Sequence, residues 1–156
     1  MNENNYMDLA IEQAKMAEML DEVPVGAVLI NENNGQIISA SHNEMLKENN
    51  AIKHAEIVII EKACKIRDSK YLFDTSIYIT LEPCFMCAAA MSEARISKLY
   101  YGAYDEKKGA MKIYNNFLFK KAYFNLDVYG GILEKDCSVL LKNFFKNLRK
   151  KQNIRL

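Results

Sequence analysis

Two short pieces of this chain carry residues that can do chemistry together: His54-Ala55-Glu56 and Pro83-Cys84-Phe85-Met86-Cys87. One imidazole and two thiolates form a ligand set that suits zinc, and zinc is the expected cofactor, one Zn2+ per chain. A structural zinc site is closed by four protein ligands, whereas a catalytic one keeps a position open for water. With His54, Cys84 and Cys87 the count stops at three, so the site reads as catalytic. Glu56 lies two residues from His54 and cannot share that ligand's direction along a helix. It is better placed beside the water, where its task is proton transfer.

Each piece has a plainer reading when taken alone. Cys-x-x-Cys between a strand and a helix also describes a thioredoxin-like redox pair. His54 can be an ordinary residue at a helix end, and Glu56 an ordinary first-turn glutamate favoured by the helix dipole. The joint occurrence of both pieces, in this order and at matching junctions, is what favours a zinc enzyme.

The elements that must position these residues follow from periodicity. Residues 76–81 (Ser-Ile-Tyr-Ile-Thr-Leu) read as a strand rich in apolar and β-branched side chains. Pro83 then suits a helix start, because its missing N–H would be unpaired there anyway. The helix is expected to run from Cys84 to about residue 94, with both sulfurs on one face of its first turn, at the positive end of its dipole. Residues 54–64 form a second apolar helical stretch that opens on His54, so two helix starts would face one ion.

Around this centre, Met7, Ala10, Ile11, Ala14 and Ala17 predict an amphipathic helix over 6–20. Runs at 25–30 and 37–41, separated by a segment containing Asn34-Gly35, predict a β-hairpin. Residues 44–50 read as a loop, 96–101 as a fourth strand ended by Gly102, and 127–129 as a short fifth. Val139, Leu140, Leu141, Phe144, Phe145 and Leu148 predict one apolar face of a terminal helix whose other face is basic. Over 105–124, Met111, Tyr114, Phe117 and Leu118 are expected to face a core, while Tyr123 and Phe124 mark either packing or a stacking surface for bases, with packing the favoured reading. Strands alternating with crossover helices predict parallel strands beyond the opening hairpin.

At 156 residues and 50% apolar, the chain is expected to form one domain, 1–156, around one core. No stretch approaches the ~20 apolar residues of a membrane span, so no membrane partner is expected. Met1-Asn2-Glu3-Asn4-Asn5 lacks the basic and apolar regions of a signal peptide, which predicts a cytoplasmic protein. Cys64 and Cys137 sit in apolar helical patterns and read as buried free thiols. The net charge is only +1, but it is unevenly placed. Beyond Asp136 no acidic residue occurs, and 6 Lys and Arg follow, including Lys142, Lys146, Arg149 and Lys150. The other 15 Lys and Arg stand against 20 Asp and Glu, leaving residues 1–136 at −5. A polyanionic partner would therefore have to meet a local basic patch.

The order His54-x-Glu56 then Pro83-Cys84-x-x-Cys87 resembles the signature of zinc nucleobase deaminases. Within the cytidine/deoxycytidylate deaminase superfamily the chain is similar to the tRNA adenosine deaminase family, from about residue 6 to residue 150. The likeness includes Glu22-Val23-Pro24-Val25-Gly26-Ala27-Val28, Ser41-His42-Asn43, Thr80-Leu81-Glu82-Pro83, Tyr101-Gly102-Ala103-Tyr104-Asp105, Gly131-Ile132-Leu133 and Phe144-Phe145. The resemblance implies an α/β, cytidine deaminase-like three-layer fold: a mixed five-stranded sheet with helices on both faces. It implies hydrolytic deamination of adenosine to inosine in a tRNA anticodon loop, with the target base flipped out of its stack. It also implies a homodimer. Asn43, the backbone at Val23 and Ala55, and the segment Leu81-Glu82 would line the base pocket, and Asp105 would reach the nucleotide sugar.

Asn43 taken alone reads more readily as a turn residue, and His42 as a surface or packing histidine outside the metal. Three stretches depart from the family pattern. Lys53 replaces a small residue and is expected to bring charge to the pocket rim. Tyr123-Phe124-Asn125 stands where the family has Asn-His-Arg, and the residues after Gly109-Ala110 differ from the usual Gly-Ser pair. A free nucleobase or nucleoside deaminase acting on cytosine or guanine would use the same zinc machinery. A zinc-stabilised RNA-binding module would have no use for Glu56.

Overall fold

The computed structural model describes residues 2–111 and 126–153. Tyr114, Phe117, Leu118, Tyr123, Phe124 and Asn125 lie outside the described residues, as does Arg155. Among the described residues the chain runs α1 (Glu3–Met19), β1 (Gly26–Asn31), β2 (Ile37–His42), α2 (Ala55–Arg67), β3 (Thr75–Leu81), α3 (Phe85–Glu93), β4 (Lys98–Ala103), β5 (Asp127–Gly130) and α4 (Glu134–Asn153). The strands form one sheet in the order β2-β1-β3-β4-β5. β1 pairs antiparallel with both β2 and β3, and β3, β4 and β5 pair in parallel. The sheet is mixed, as expected. α1 and α4 pack on one face; α2, with α3 beside it, packs on the other.

Local chemistry explains most boundaries. Asn2 caps α1 by accepting from Asn5 N–H at 3.1 Å, so the helix begins three residues before the expected 6. The hairpin turns through Gly35 at φ +69°, a conformation that costs glycine no Cβ clash. α2 runs to Arg67, beyond the expected 64, and stops where Asp68 turns left-handed at φ 47°.

Three expectations need correction. β4 lies two residues later than 96–101, and Gly102 is inside it rather than its terminator. A Cβ at Gly102 would overlap Cys137 Sγ, so this glycine lets α4 lie directly on the strand. On α4 itself the buried side chains are Cys137, Leu141 and Phe144, whereas Val139, Phe145 and Leu148 are exposed. The apolar face is narrower than the composition suggests, and Phe145 serves another surface. Cys64 is only half-buried, while Cys137 is buried as expected; all four cysteines are free. Met111 is buried.

The core fills both sides of the sheet, with Met7, Leu29, Ile59, Ile77, Ile79, Met91, Ile96 and Leu99 fully enclosed. Tyr78 stacks on Tyr100 at 4.5 Å, and Tyr100 on Tyr129 at 4.8 Å, so an aromatic ladder ties the edge strand β5 to the centre.

The register decides where function can sit. Gly26 pairs with His42, and Leu81 with Ala103. The start of β1 and the ends of β2, β3 and β4 therefore meet at one edge of the sheet. The segments leaving there are 22–25, 43–54, 82–84 and 104–111.

Candidate active site

The two helix starts face each other as their spacing predicts. His54 is the N-cap of α2 and Cys84 the N-cap of α3, both with extended backbone and neither spending its side chain on the cap. Cys84 Sγ lies 3.7 Å and Cys87 Sγ 3.5 Å from His54 Nδ1, and all three ligand atoms lie within 4.8 Å of one another. Zinc–sulfur and zinc–nitrogen bonds of ordinary length at tetrahedral angles place such atoms about 3.6 Å apart. The observed separations fit a zinc ion with a fourth position open. The Cys87 thiol donates to Cys84, holding Cys84 down to about 4, while Cys87 itself is pushed up by the same contact.

Glu56 sits in the first turn of α2 and is only 4% exposed. Burial pushes its carboxyl up to about 6, against the opposing pull of its own backbone N–H and of His54. A carboxyl with a raised pKa beside a metal cluster is suited to taking and returning a proton near neutral pH.

His54, Glu56 and Cys84 line a cleft of about 750 Å³, and Cys87 is buried beside it. Val23 and Val25 enter it from before β1, Asn43 and Met45 from after β2, and Leu81 and Glu82 from the end of β3. Tyr104, Asp105, Glu106, Lys107 and Lys108 come from the loop after β4, and Leu141, Lys142, Phe145 and Arg149 from α4. Of the residues expected in the pocket, only Ala55 does not line it; it is fully buried beneath. Asn43 Nδ2 donates to Val23 O at 3.1 Å, and Ala55 N–H donates to Asn43 Oδ1 at 2.8 Å. These bonds fix the amide plane and leave Asn43 one free N–H and one free lone pair. The Glu82 carboxylate is turned towards the backbone of the loop after β4.

His42 stands apart from the ligand cluster, its Nδ1 2.8 Å from Asn43 O. Lys53 corrects an expectation: its ammonium meets Glu61 Oε2 at 2.5 Å on the outer side of α2, and it does not line the cleft. A carboxylate two turns along the helix draws the charge away from the rim.

Sequence reasoning gave no site role to Met45, Tyr104 and Phe145, and its basic patch of Lys142, Lys146, Arg149 and Lys150 was broader than the pair, Lys142 and Arg149, that lines the cleft. The signal was present. Positions 142, 145 and 149 share a helical face, displaced by one residue from the buried 137, 141 and 144. It missed Glu22 too, whose buried Oε1 accepts from the N–H groups of Leu46 and Lys47 at 2.6 and 3.0 Å and pins the loop after β2.

Residues 1–103 match the family model of the cytidine and deoxycytidylate deaminase zinc-binding region. With the fold and the His-Cys-Cys cluster, that match defines a zinc-dependent deaminase. The chain is 47% identical over 141 residues to the tRNA-specific adenosine deaminase of Rickettsia bellii, covering 90% of this chain and 97% of that one. A solved structure from work on A-to-I editing by tRNA:A34 deaminases at the wobble position of transfer RNA is 41% identical, with a TM-score of 0.82 over 88% of this chain and 99% of the other. A guanine deaminase from Nitrosomonas europaea shares the fold at 20% identity, with a TM-score of 0.80 over 92% of this chain and 84% of that one. The chain belongs to the tRNA-specific adenosine deaminase family.

Proposed function

We propose that this enzyme converts the wobble adenosine of a tRNA anticodon loop to inosine, residues 1–156 acting as one deaminase domain in the cytoplasm. The observation that carries this reading is the composition of the cleft. It is lined by the buried Glu56 and by His54 and Cys84 of the ligand cluster, together with Lys107 and Lys108 from the loop after β4 and Lys142 and Arg149 from α4. Cations from two elements around an extended cleft suit a strand of phosphates, while a free base has no charge for them to meet. Tyr104 and Phe145, both more than 40% exposed, offer ring faces to neighbouring unstacked bases.

His54, Cys84 and Cys87 would hold the zinc, which when bound supplies a Lewis acid that activates water near neutral pH. Glu56 takes the proton of that water as its oxygen adds to C6 of the adenine, and delivers it to ring N1. The carboxylate, ionised again, then takes the remaining proton of the C6 hydroxyl and passes it to the departing amine, so that C6=O forms as the C6–N bond breaks, water is consumed and ammonia leaves. The free N–H and lone pair of Asn43 orient the base edge, and Asp105 meets the sugar.

A homodimer completes the proposal. The outer side of the α2–α3 layer leaves Ile57, Ile60, Met86, Ala89 and Ala90 half-buried, with Ile52 and Phe85 exposed beside them. Partly exposed apolar side chains on both helices of one layer are what an isologous interface would cover.

The test is ammonia release and inosine formation with an anticodon stem-loop, free adenosine, adenine, guanine and cytosine as parallel substrates. Turnover confined to the stem-loop is the expected result; faster turnover of a free base or nucleoside would refute it.

A further inference from the structure

The loop after β4 carries Asp105, Lys107 and Lys108 into the cleft, and it is held at both ends by the two residues that precede the ligand Cys84. Glu82 Oε2 accepts from Asp105 N–H at 2.9 Å, and Glu82 Oε1 accepts from Met111 N–H at 3.1 Å. Glu82 N–H donates to Ala103 O at 2.8 Å, and Ala110 N–H donates to Pro83 O at 3.0 Å. The Glu82 side chain is 7% exposed, so its two charge-assisted bonds are shielded from water. Inside the loop, Asp105 Oδ1 accepts from the N–H groups of Lys107 and Lys108 at 2.9 and 3.0 Å. A bond that fixes Asp105 therefore fixes the two lysines as well. Gly109 makes room for this arrangement: a Cβ there would overlap both the Glu82 carboxyl carbon and Asp105 O.

We infer that Glu82 is a positioning residue, which does not touch the substrate but sets the Asp105–Lys108 loop at a fixed place relative to the metal ligands. Only a group with two acceptor oxygens at this depth can hold both ends of the loop at once. A glutamine keeps one acceptor and turns an NH2 towards an N–H, and an alanine keeps neither.

The inference rests on the RNA reading for its kinetic arm, and its structural arm is independent of any substrate. Amide hydrogen exchange on the zinc-loaded protein should show Asp105 and Met111 exchanging at least roughly tenfold faster in Glu82→Ala than in the wild type, with Glu82→Gln between. Zinc content should be unchanged. With an anticodon stem-loop, Glu82→Ala should raise KM about tenfold or more at nearly constant kcat, the pattern of weakened uniform binding, with partial recovery in Glu82→Gln. Because Glu82 acts through the loop, Glu82→Ala combined with Asp105→Ala should raise KM by clearly less than the product of the single effects. Unchanged amide protection, loss of zinc, a fall in kcat at constant KM, or multiplicative effects would each overturn the assignment. Should Glu82→Ala not fold, Gly109→Ala attacks the same contact from the loop side and must give the same exchange signature. If the wild type leaves the stem-loop untouched, the RNA reading fails, and the amide exchange still decides the role of Glu82.

Discussion

The ligands and the proton carrier differ in what their removal should do. Cys84→Ala takes away one of three ligands and should strip the protein of zinc, whereas Cys64→Ala and Cys137→Ala should retain about one zinc per chain by metal analysis. Glu56→Ala should fold and keep its zinc while turnover falls by roughly 10²–10⁴-fold, the usual size of a general acid–base contribution. Full activity in that variant would place the proton carrier elsewhere. At this scale the sequence was highly legible. His54, Cys84 and Cys87 announce themselves through residue type and spacing, because a metal demands particular donors at particular intervals. Asn43 and Glu82 were harder to read: each was expected against the base, and each is also bonded to backbone far away in sequence. Those partners, Val23 O for Asn43 and Met111 N–H for Glu82, exist only once the sheet has gathered its ends. Lys53 was misread for the same reason, since nothing local to it shows that Glu61 takes its charge.

Among elements, the informative errors were at β4 and α4. Gly102 looks like a strand terminator in isolation and is a contact point for a helix that begins more than 30 residues later. Gly102→Ala should drive a methyl into Cys137 and destabilise the fold by about 1–3 kcal/mol, visible as a lower Tm with unchanged zinc stoichiometry. On α4, only Lys142 and Arg149 among the basic residues line the cleft. Replacing these two with Gln should weaken stem-loop binding and flatten the dependence of log K on log salt by roughly 1.4, about 0.7 for each single-strand phosphate that is no longer neutralised. Replacing Lys146 and Lys150 should change the slope little, and an equal effect from both pairs would assign the charge to the field of the whole helix. Helix and strand identities followed from periodicity because burial on one face imposes it. Boundaries did not, since caps such as Asn2 and Asp68 act one residue at a time.

On the scale of the whole molecule, the mixed sheet and its helical layers were legible from the alternation of elements, and the parallel β3–β4–β5 set follows from the crossovers between them. Assembly was not, because an apolar surface on the α2–α3 layer reads the same in sequence whether another copy or solvent lies against it. Sedimentation at micromolar concentration should show a dimer, and Ile57→Asp with Ile60→Asp should yield a monomer; a wild-type monomer would refute the interface. Chain order carries one more consequence. The residues expected to hold zinc and move protons lie between 54 and 87, inside the 103 residues matched by the general deaminase model, while Lys142, Phe145 and Arg149 enter the same cleft from the far end of the chain. One cleft is thus assembled from stretches of polypeptide more than fifty residues apart, which meet only after folding, so a change near the end of the chain reaches the neighbourhood of His54 and Cys84 without altering the segments that carry them.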